Sequence, residues 1–264
     1  MTDLRCIKLI IEYDGSAFAG FQRQKKELTI QGVLEDSLSE ICRETINMVG
    51  AARTDAGVHA VGQVCHFKTK SLISCEKLRQ RLNALLRPSI VIREACDVSE
   101  KFHARYSALA KEYAYFILNR PFPSAFFHPY LHWFPFPLDE KKMGEACQFL
   151  VGKKDFSSFQ ASAGKEKNPV VEIFKAQCFR GTRDHSLPFS HLGGEVITFC
   201  IQGTRFLHHM VRNIVGTLLE IGENKRSPQE MQEILNAKDR RAAGPTAPAK
   251  GLFLMKIYYP KEFE

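Results

Sequence analysis

The sequence has no long apolar run, and none approaches the roughly 20 residues that a membrane-spanning helix needs. Residues 1–5 also lack the apolar core of a secretory signal peptide. No stretch rich in glycine and serine divides the chain. We therefore expect a cytoplasmic protein that has no membrane partner.

The sequence also lacks any Cys-x-x-Cys pair, which argues against zinc ligation and against a thioredoxin-type redox motif. Most of its eight cysteines lie among apolar neighbours, a pattern typical of buried free thiols in a reducing compartment. His208 and His209 are adjacent, so on a helix they would point roughly 100° apart, and no third ligand is evident. We expect neither a metal nor a cofactor.

Composition fits a globular protein with a nucleic-acid partner but does not require one. The 264 residues are 44% hydrophobic and 25% charged, enough for a sizeable core in one large domain or two ordinary ones. The formal net charge of +8 favours a polyanionic partner, although many ordinary enzymes are as basic.

The first half of the chain is predicted to have the element order β-α-β-β-α-β. Apolar residues alternate over Arg5–Tyr13 and follow helical spacing over Ile30–Cys42, with Thr29 as a candidate N-cap. Strands at residues 46–49 and 63–67, a helix at 76–86 and a strand at 90–96 complete the unit. This order is that of a ferredoxin-like or RNA-recognition-type unit.

The second half repeats this order without evident sequence repetition. We predict strands at residues 111–118, 170–179, 195–202 and 252–259, and helices at 140–150, 205–221 and 228–235. Ser227 and Glu230 form a candidate capping box for the last helix. The fold class is therefore α+β, with two ferredoxin-like halves that share an extended antiparallel sheet and a central cleft. We place the domains at residues 1–104 and 105–264.

Asp55 lies in the most informative segment, Arg-Thr-Asp-Ala-Gly-Val-His, between two predicted strands. Small residues surround it, so a flat ligand could approach the backbone closely. A tight turn in which Asp55 caps backbone N–H groups is the more ordinary interpretation of the segment taken alone. The segment alone leaves both interpretations open.

The predicted helix at residues 205–221 carries an apolar face and a polar stripe. Arg205, His209, Arg212 and Gly216 form that stripe at spacings of four, three and four. A solvated surface is the ordinary interpretation. The stripe has no acidic residue before Glu220, however, and Gly216 would allow close backbone packing, so cations aimed into a cleft are the alternative.

Six further blocks of polar and aromatic residues occur elsewhere in the chain. They comprise residues 14–24, 102–106 (Phe-His-Ala-Arg-Tyr), 111–115 (Lys-Glu-Tyr-Ala-Tyr), 152–159, 206–216 and 243–252. Together with the Asp55 loop they resemble, in order, the motifs of the tRNA pseudouridine synthase A (TruA) family. The resemblance runs from about residue 7 to about residue 258, and its ordered blocks make it far more specific than any single motif.

The resemblance implies a role for each matched side chain. Asp55 would be the catalytic nucleophile, and Arg212 the guanidinium that pairs with it. Tyr113 would pack under the target base and take part in proton handling. Arg53 would fill the space that the flipped uridine leaves. Three further residues are candidates for substrate binding: His59 and Arg105 in the matched blocks, and Arg205 on the polar stripe.

The resemblance also implies a pseudouridine synthase fold, a tRNA substrate and a homodimer that binds tRNA across both subunits. The family isomerises uridine at positions 38 to 40 of the anticodon stem-loop, without cofactor or metal. The target base must flip out of the RNA stack, because C1′ and C5 are otherwise hidden from a protein carboxylate.

Three segments depart from the family's pattern. Ala52 stands where glycine is usual, which is tolerable only if its φ is negative. Residues 85–88 (Leu-Leu-Arg-Pro) replace a Leu-Pro turn. Glu172 replaces the usual arginine and puts one RNA contact in doubt.

Two alternatives stay open from the sequence. The chain could be a pseudouridine synthase that acts at another RNA position. It could also be a non-catalytic tRNA-binding protein, although such a protein needs no carboxylate facing an anion. A base deaminase is excluded, because that class needs a His/Cys zinc site with a nearby glutamate.

Overall fold

The computed structural model describes residues 4–86, 88–161, 168–184 and 187–263. The chain forms two compact units, one of Met1–Lys111 with Phe253–Glu264 and the other of Glu112–Leu252. Our placement of a functional domain boundary after residue 104 stays a prediction. No helix in the described ranges is long and apolar enough to cross a bilayer.

The first unit has the predicted β-α-β-β-α-β order. Its elements are β1 (Arg5–Tyr13), α1 (Ile30–Cys42), β2 (Met48–Gly50), β3 (His59–Thr69), α2 (Cys75–Leu85) and β4 (Ile90–Val98). β1 lies between β4 and β3, and β2 pairs with β3, all antiparallel. This is the strand order of a ferredoxin-like unit.

Local chemistry explains where the two helices of this unit begin. The Thr29 side chain accepts a hydrogen bond from the Gly32 N–H, and the Ser74 side chain accepts one from the Lys77 N–H. Each bond satisfies a backbone donor that the helix itself cannot pair. The apolar faces behind these caps bury Leu34, Leu38 and Leu82 completely.

The second unit contains most of the remaining elements. These are β5 (Ala110–Asn119), β6 (His132–Phe134), α3 (Glu140–Gln148), β7 (Gly152–Asp155), β8 (Val170–Arg180), β9 (Val196–Gly203), α4 (Met210–Gly222) and α5 (Glu230–Ala237). The strand order is β5-β9-β8-β7, with β6 beside β5. Helices α3 and α4 bury Met143, Ile214 and Leu218 completely.

The predicted α+β class is confirmed, but the prediction of a purely antiparallel sheet is wrong. β10 (Leu252–Tyr258) pairs in parallel with β3 at His59 and Ala60, and β6 pairs in parallel with β5. Most of the chain lies between β3 and β10 in sequence, so no hairpin turn sets the direction of one strand relative to the other. The sheets are therefore mixed.

The prediction of a helix from Arg205 is also wrong, because α4 begins at Met210. His209 precedes it in the left-handed conformation, with φ 59°, and this interrupts helical geometry. Arg205 and His209 therefore do not share a helical stripe with Arg212. The expectation for Gly216 is confirmed, since a Cβ there would lie 1.6 Å from the Pro245 carbonyl oxygen.

Two smaller predictions need correction. α5 begins at Glu230 rather than at residue 228. The Glu230 carboxylate accepts a bond from the Ser227 N–H at 2.7 Å, which is one half of the predicted capping box. Short strands β6 and β7 were not predicted. The departure at residues 85–88 includes Arg87, which lies outside the described residues.

Candidate functional site

The Asp55 loop, residues 51–58, joins β2 to β3 in the first unit. The Val58 N–H donates to the Asp55 carbonyl oxygen at 3.2 Å, and Gly57 adopts φ 75°. The loop is therefore a tight turn, as one interpretation of the sequence requires. It also presents side chains outward, because Arg53 is exposed and Asp55 is half-buried.

The segment after β1 supports this loop from behind. Gly20 adopts φ 99°, and a Cβ there would lie 2.9 Å from the Thr54 carbonyl oxygen and 3.3 Å from the Asp55 carbonyl carbon. The Phe21 N–H donates to the Thr54 carbonyl oxygen at 3.0 Å. A left-handed residue with no room for a side chain explains the glycine of the matched motif.

His59 is 1% exposed, so it lies beneath the loop rather than on its surface. Its Nδ1 accepts a bond from the Gly15 N–H at 3.1 Å, and its ring stacks on Phe253 at 4.6 Å. An Asp14 carboxylate oxygen lies 3.2 Å from the same Nδ1. The Gly15 bond makes this nitrogen an acceptor, so we interpret the Asp14 contact as proximity and not as an ion pair.

Ala52 fits its position without backbone strain. The non-glycine residues of the described chain with positive φ are Arg43, His209, Asn224 and Lys238, and Ala52 is not among them. Its methyl group is buried. The departure from glycine is therefore tolerated.

Lys111 is a supporting residue that sequence reasoning did not single out. Its ammonium group donates to the Ala51 carbonyl oxygen at 2.6 Å, at the start of the Asp55 loop. Lys111 opens the matched Lys-x-Tyr-x-Tyr block, and that position was the available signal. Arg105, in the same unit, is exposed, and its guanidinium lies 5.8 Å from the ring centroid of Tyr106.

In the second unit, Tyr113 and Tyr115 occupy neighbouring inward positions of β5. Tyr113 is nearly buried and makes an edge contact with Phe206 at 5.0 Å. Tyr115 is completely buried and its hydroxyl donates to the Pro248 carbonyl oxygen at 2.8 Å. Burial raises the pKa of Tyr115, and the positive charge of Arg212 acts in the opposite direction.

Arg212 lies in the first turn of α4 and is held by the 243–252 block. Its Nε donates to the Ala247 carbonyl oxygen at 2.8 Å, and the Ala247 N–H donates to the Arg212 carbonyl oxygen at 3.1 Å. This pairing orients the guanidinium. Arg205 instead donates to the carbonyl oxygens of Asn168 and Val170, and so holds the start of β8.

The predicted site residues thus fall into two groups. Arg53, Asp55, His59 and Arg105 belong to the first unit. The others belong to the second unit: Tyr113, Arg205, Arg212.

Comparisons with known proteins identify the class of enzyme. The tRNA pseudouridine synthase family model matches residues 9–107 and 146–260. The tRNA pseudouridine synthase A of Brevibacillus brevis is 44% identical over 259 residues, covering 98% of this chain and 100% of the relative. That of Bdellovibrio bacteriovorus is 41% identical over 263 residues, covering 98% and 96%. That of Thermoanaerobacter sp. is 39% identical over 256 residues, covering 97% and 100%.

The chain therefore belongs to the tRNA pseudouridine synthase family. Membership makes it an isomerase and confirms the predicted family, enzyme class and pseudouridine synthase fold.

Proposed function

We propose that this enzyme converts uridine to pseudouridine at positions 38 to 40 of the tRNA anticodon stem-loop, with Asp55 as the nucleophile. The observation that carries the proposal is the half-buried Asp55, presented on a backbone that Gly20 and Phe21 support from behind, in a chain that matches the family along nearly its whole length. A different target uridine on the RNA is the remaining alternative.

The reaction is an isomerisation, so no atoms are gained or lost. The C1′–N1 bond of uridine breaks, the freed uracil rotates, and a C1′–C5 bond forms. The proton on C5 leaves and N1 ends the reaction protonated. An ionised carboxylate assists the first step, either by attack on C1′ or by another route, and the uracil must be held while it turns.

The remaining roles follow the family's pattern. In this proposal, residues 1–104 supply the catalytic loop and residues 105–264 supply Tyr113 and Arg212. Arg212 is the guanidinium that the family's pattern pairs with this carboxylate. Tyr113 packs under the target base and handles a proton. Its edge contact with Phe206, at 5.0 Å between ring centroids, supports this role because the contact restricts rotation of the Tyr113 ring.

Binding of the RNA uses the cationic residues. Exposed Arg53 enters the space that the flipped base leaves. Arg105 and Arg205 contact the RNA backbone, where guanidinium groups can bind phosphate in a planar, two-point fashion. Because His59 is buried, we assign it a supporting role beneath the loop instead of direct contact with substrate.

We further propose that the enzyme is a cytoplasmic homodimer that binds tRNA across both subunits. Large aromatic side chains are exposed in the second unit, among them Phe122, Phe126 and Phe136, with Phe126 84% exposed. Apolar surface of this kind is typical of protein interfaces. Light scattering should give a mass near twice 30.0 kDa, and a monomer mass at working concentration would contradict this part.

Mapping of pseudouridine tests the proposed function directly. Cells that lack the protein should lose pseudouridine at positions 38 to 40, and the purified enzyme should restore it on an unmodified tRNA. Restoration only at other positions would identify the alternative target. Binding of tRNA without any modification would instead indicate a non-catalytic protein.

A further inference from the structure

We propose that Gln63 is a positioning residue for the Asp55 loop, and that its carboxamide, together with the Tyr13 hydroxyl, fixes the residues that flank Arg53. The proposal deepens the proposed function and rests on it. It concerns residues of the first unit alone.

Gln63 binds both polar groups of the Ala52 backbone with one side chain. The Ala52 N–H donates to Gln63 Oε1 at 3.2 Å, and Gln63 Nε2 donates to the Ala52 carbonyl oxygen at 2.9 Å. Gln63 lies on β3 and is completely buried. The Gln63 amide therefore stays hydrogen-bonded to the loop backbone, because burying a carboxamide is costly unless its donors and acceptor are paired.

This contact begins where the backbone ladder ends. β2 pairs with β3 through Gly50 and Cys65, and the Ala51 N–H still donates to the Val64 carbonyl oxygen at 2.8 Å. The backbone of Gln63 is itself paired with Ile11 of β1. The Gln63 side chain thus takes the place of a strand backbone and pairs with one further residue, Ala52, just before the loop turns away from the sheet.

A second anchor holds the residue before Asp55. The hydroxyl groups of Tyr13 and Thr54 share a hydrogen bond of 2.7 Å. Tyr13 and Thr54 are buried. Together with the Gln63 contacts, this bond forms a buried polar network that holds Ala52 and Thr54 against the sheet.

The consequence for chemistry follows from the alternation along the loop. The buried residues Ala52 and Thr54 are anchored, so the intervening Arg53 and the following Asp55 project outward in a fixed direction. Displacement of a reacting group by about 1 Å can lower a rate by about a hundredfold. An anchor that sets the Asp55 backbone within that tolerance should therefore affect the chemical step more than RNA affinity.

The chain offers a matched control in Asn83. Its Nδ2 donates to the Ile92 carbonyl oxygen at 2.9 Å, and its Oδ1 accepts from the Ile92 N–H at 2.7 Å. As Gln63 does at Ala52, the Asn83 amide binds both backbone groups of one residue, here Ile92, and so joins α2 to β4. Its loss should lower stability without displacing the Asp55 loop.

The first experiment compares Gln63→Met with Asn83→Leu, each of which removes an amide and keeps similar bulk. We expect Gln63→Met to lower the single-turnover rate on tRNA at least about thirtyfold, with the Kd for tRNA changed less than about threefold. Asn83→Leu should lower the Tm but leave the single-turnover rate within about threefold of wild type. Equal rate losses in the two variants, at equal loss of Tm, would overturn the proposal.

The second experiment uses Gln63→Glu, which keeps the shape of the side chain. A protonated glutamic acid can donate to the Ala52 carbonyl oxygen as the amide does, whereas a carboxylate places negative charge against that oxygen. Burial raises the pKa of such a carboxyl group above the ordinary value of about 4.3. The single-turnover rate, divided by that of wild type at the same pH, should therefore rise at least about fivefold from about pH 8.5 to about pH 6.5.

Other titrating groups do not confuse this readout. Burial raises the pKa of Tyr13 and of Cys65, so both stay neutral over the range, and the Lys111 ammonium lies at the neighbouring Ala51 carbonyl. Division by the wild-type rate removes every pH effect that the variant shares with the wild type. A ratio that does not change with pH would overturn the proposal.

Tyr13→Phe covers the case in which Gln63→Met does not fold. It removes one hydroxyl from the network and should lower the single-turnover rate about three- to tenfold with the Kd unchanged. An unchanged rate would count against the network. Wild-type turnover and the Asp55→Asn variant test the proposed function separately, so failure of the Gln63 proposal leaves that function standing.

Discussion

The backbone around Asp55 is fixed by its neighbours, since Gly20 and Phe21 pack behind the turn and Gly57 adopts the positive φ that the turn needs. Of its neighbours in sequence, Ala52 and Thr54 are buried and Arg53 is exposed. Sequence alone singled out Asp55 as a candidate, because the resemblance rests on local motifs, and its catalytic role stays a prediction. The contact of Lys111 with Ala51 and the burial of His59 could not be predicted, because both depend on residues far apart in the chain.

Replacement of Asp55 by asparagine tests the nucleophile. Asp55→Asn removes the negative charge and nearly preserves shape, so the single-turnover rate should fall at least about a thousandfold, equal to about 4 kcal/mol of barrier. The Kd for tRNA should change little. Asp36→Asn, at an exposed carboxylate of the same unit, is the control. Retention of about a tenth of wild-type turnover would exclude Asp55 as the nucleophile.

Replacement of Arg212 separates geometry from charge. Arg212→Lys keeps the positive charge but loses the planar guanidinium that donates to the Ala247 carbonyl oxygen. We expect the single-turnover rate to fall at least about tenfold while tRNA affinity is largely kept. Arg205→Ala should instead mainly weaken binding. If Arg212→Lys changed only the Kd, Arg212 would be a phosphate contact.

At the scale of elements, predictions held where a local signal marks the boundary. α1 begins at its Thr29 cap and ends where periodicity ends, as predicted. α4 differs because Phe206 and Leu207 continue the apolar period although the backbone is left-handed at His209. Periodicity reports which side chains are buried and not the φ angle of one residue. The three-residue strand β6 has too few positions to show a period.

Gly216 provides a stability test of α4. A Cβ there would lie 1.6 Å from the Pro245 carbonyl oxygen, so Gly216→Ala must displace backbone. We expect the free energy of unfolding to fall by about 1 to 3 kcal/mol, although alanine is normally more favourable than glycine in a helix interior. Gly194→Ala is the control, since no atom of the described residues lies within 4 Å of a Cβ there. Similar Tm values for the two variants would contradict this packing.

His132 of β6 provides a pH test. Burial, with a smaller effect of the Lys250 charge, lowers the pKa of His132 to about 4. The unfolded chain therefore binds a proton near pH 6.5 that the folded chain binds only near pH 4. Stability should fall as pH drops through this window. His132→Gln should reduce the drop in Tm between about pH 7 and about pH 4.5, and an unchanged drop would contradict a half-buried histidine that is neutral in the folded protein.

At the scale of the whole molecule, net charge and topology carry different information. The charge of +8 was compatible with tRNA from the start but could not distinguish it from other partners. The α+β class followed from the order of predicted elements. The parallel pairing of β10 with β3 could not be predicted in this way, because no local sequence pattern links residues 59 and 253.

Salt dependence tests the electrostatic part of recognition. If cationic side chains replace counterions on the RNA backbone, the logarithm of affinity should fall linearly with the logarithm of salt concentration. The slope should be roughly −0.7 to −0.9 for each phosphate contacted. Affinity for an anticodon stem-loop at several potassium chloride concentrations gives this slope. A flat plot would exclude electrostatic recognition.

The parallel pairing of β10 also has a consequence for biosynthesis. The ribosome makes β3 long before β10, so the strand that lies beside His59, and the Phe253 ring that stacks on that histidine, are absent while the residues between the two strands are being made. A nascent chain generally folds domain by domain, starting from its N-terminal part. Here the first unit cannot be completed in that order. We expect a ribosome-bound chain that ends before residue 253 to hold the Asp55 loop without its full support, and so to acquire activity only after β10 has been made.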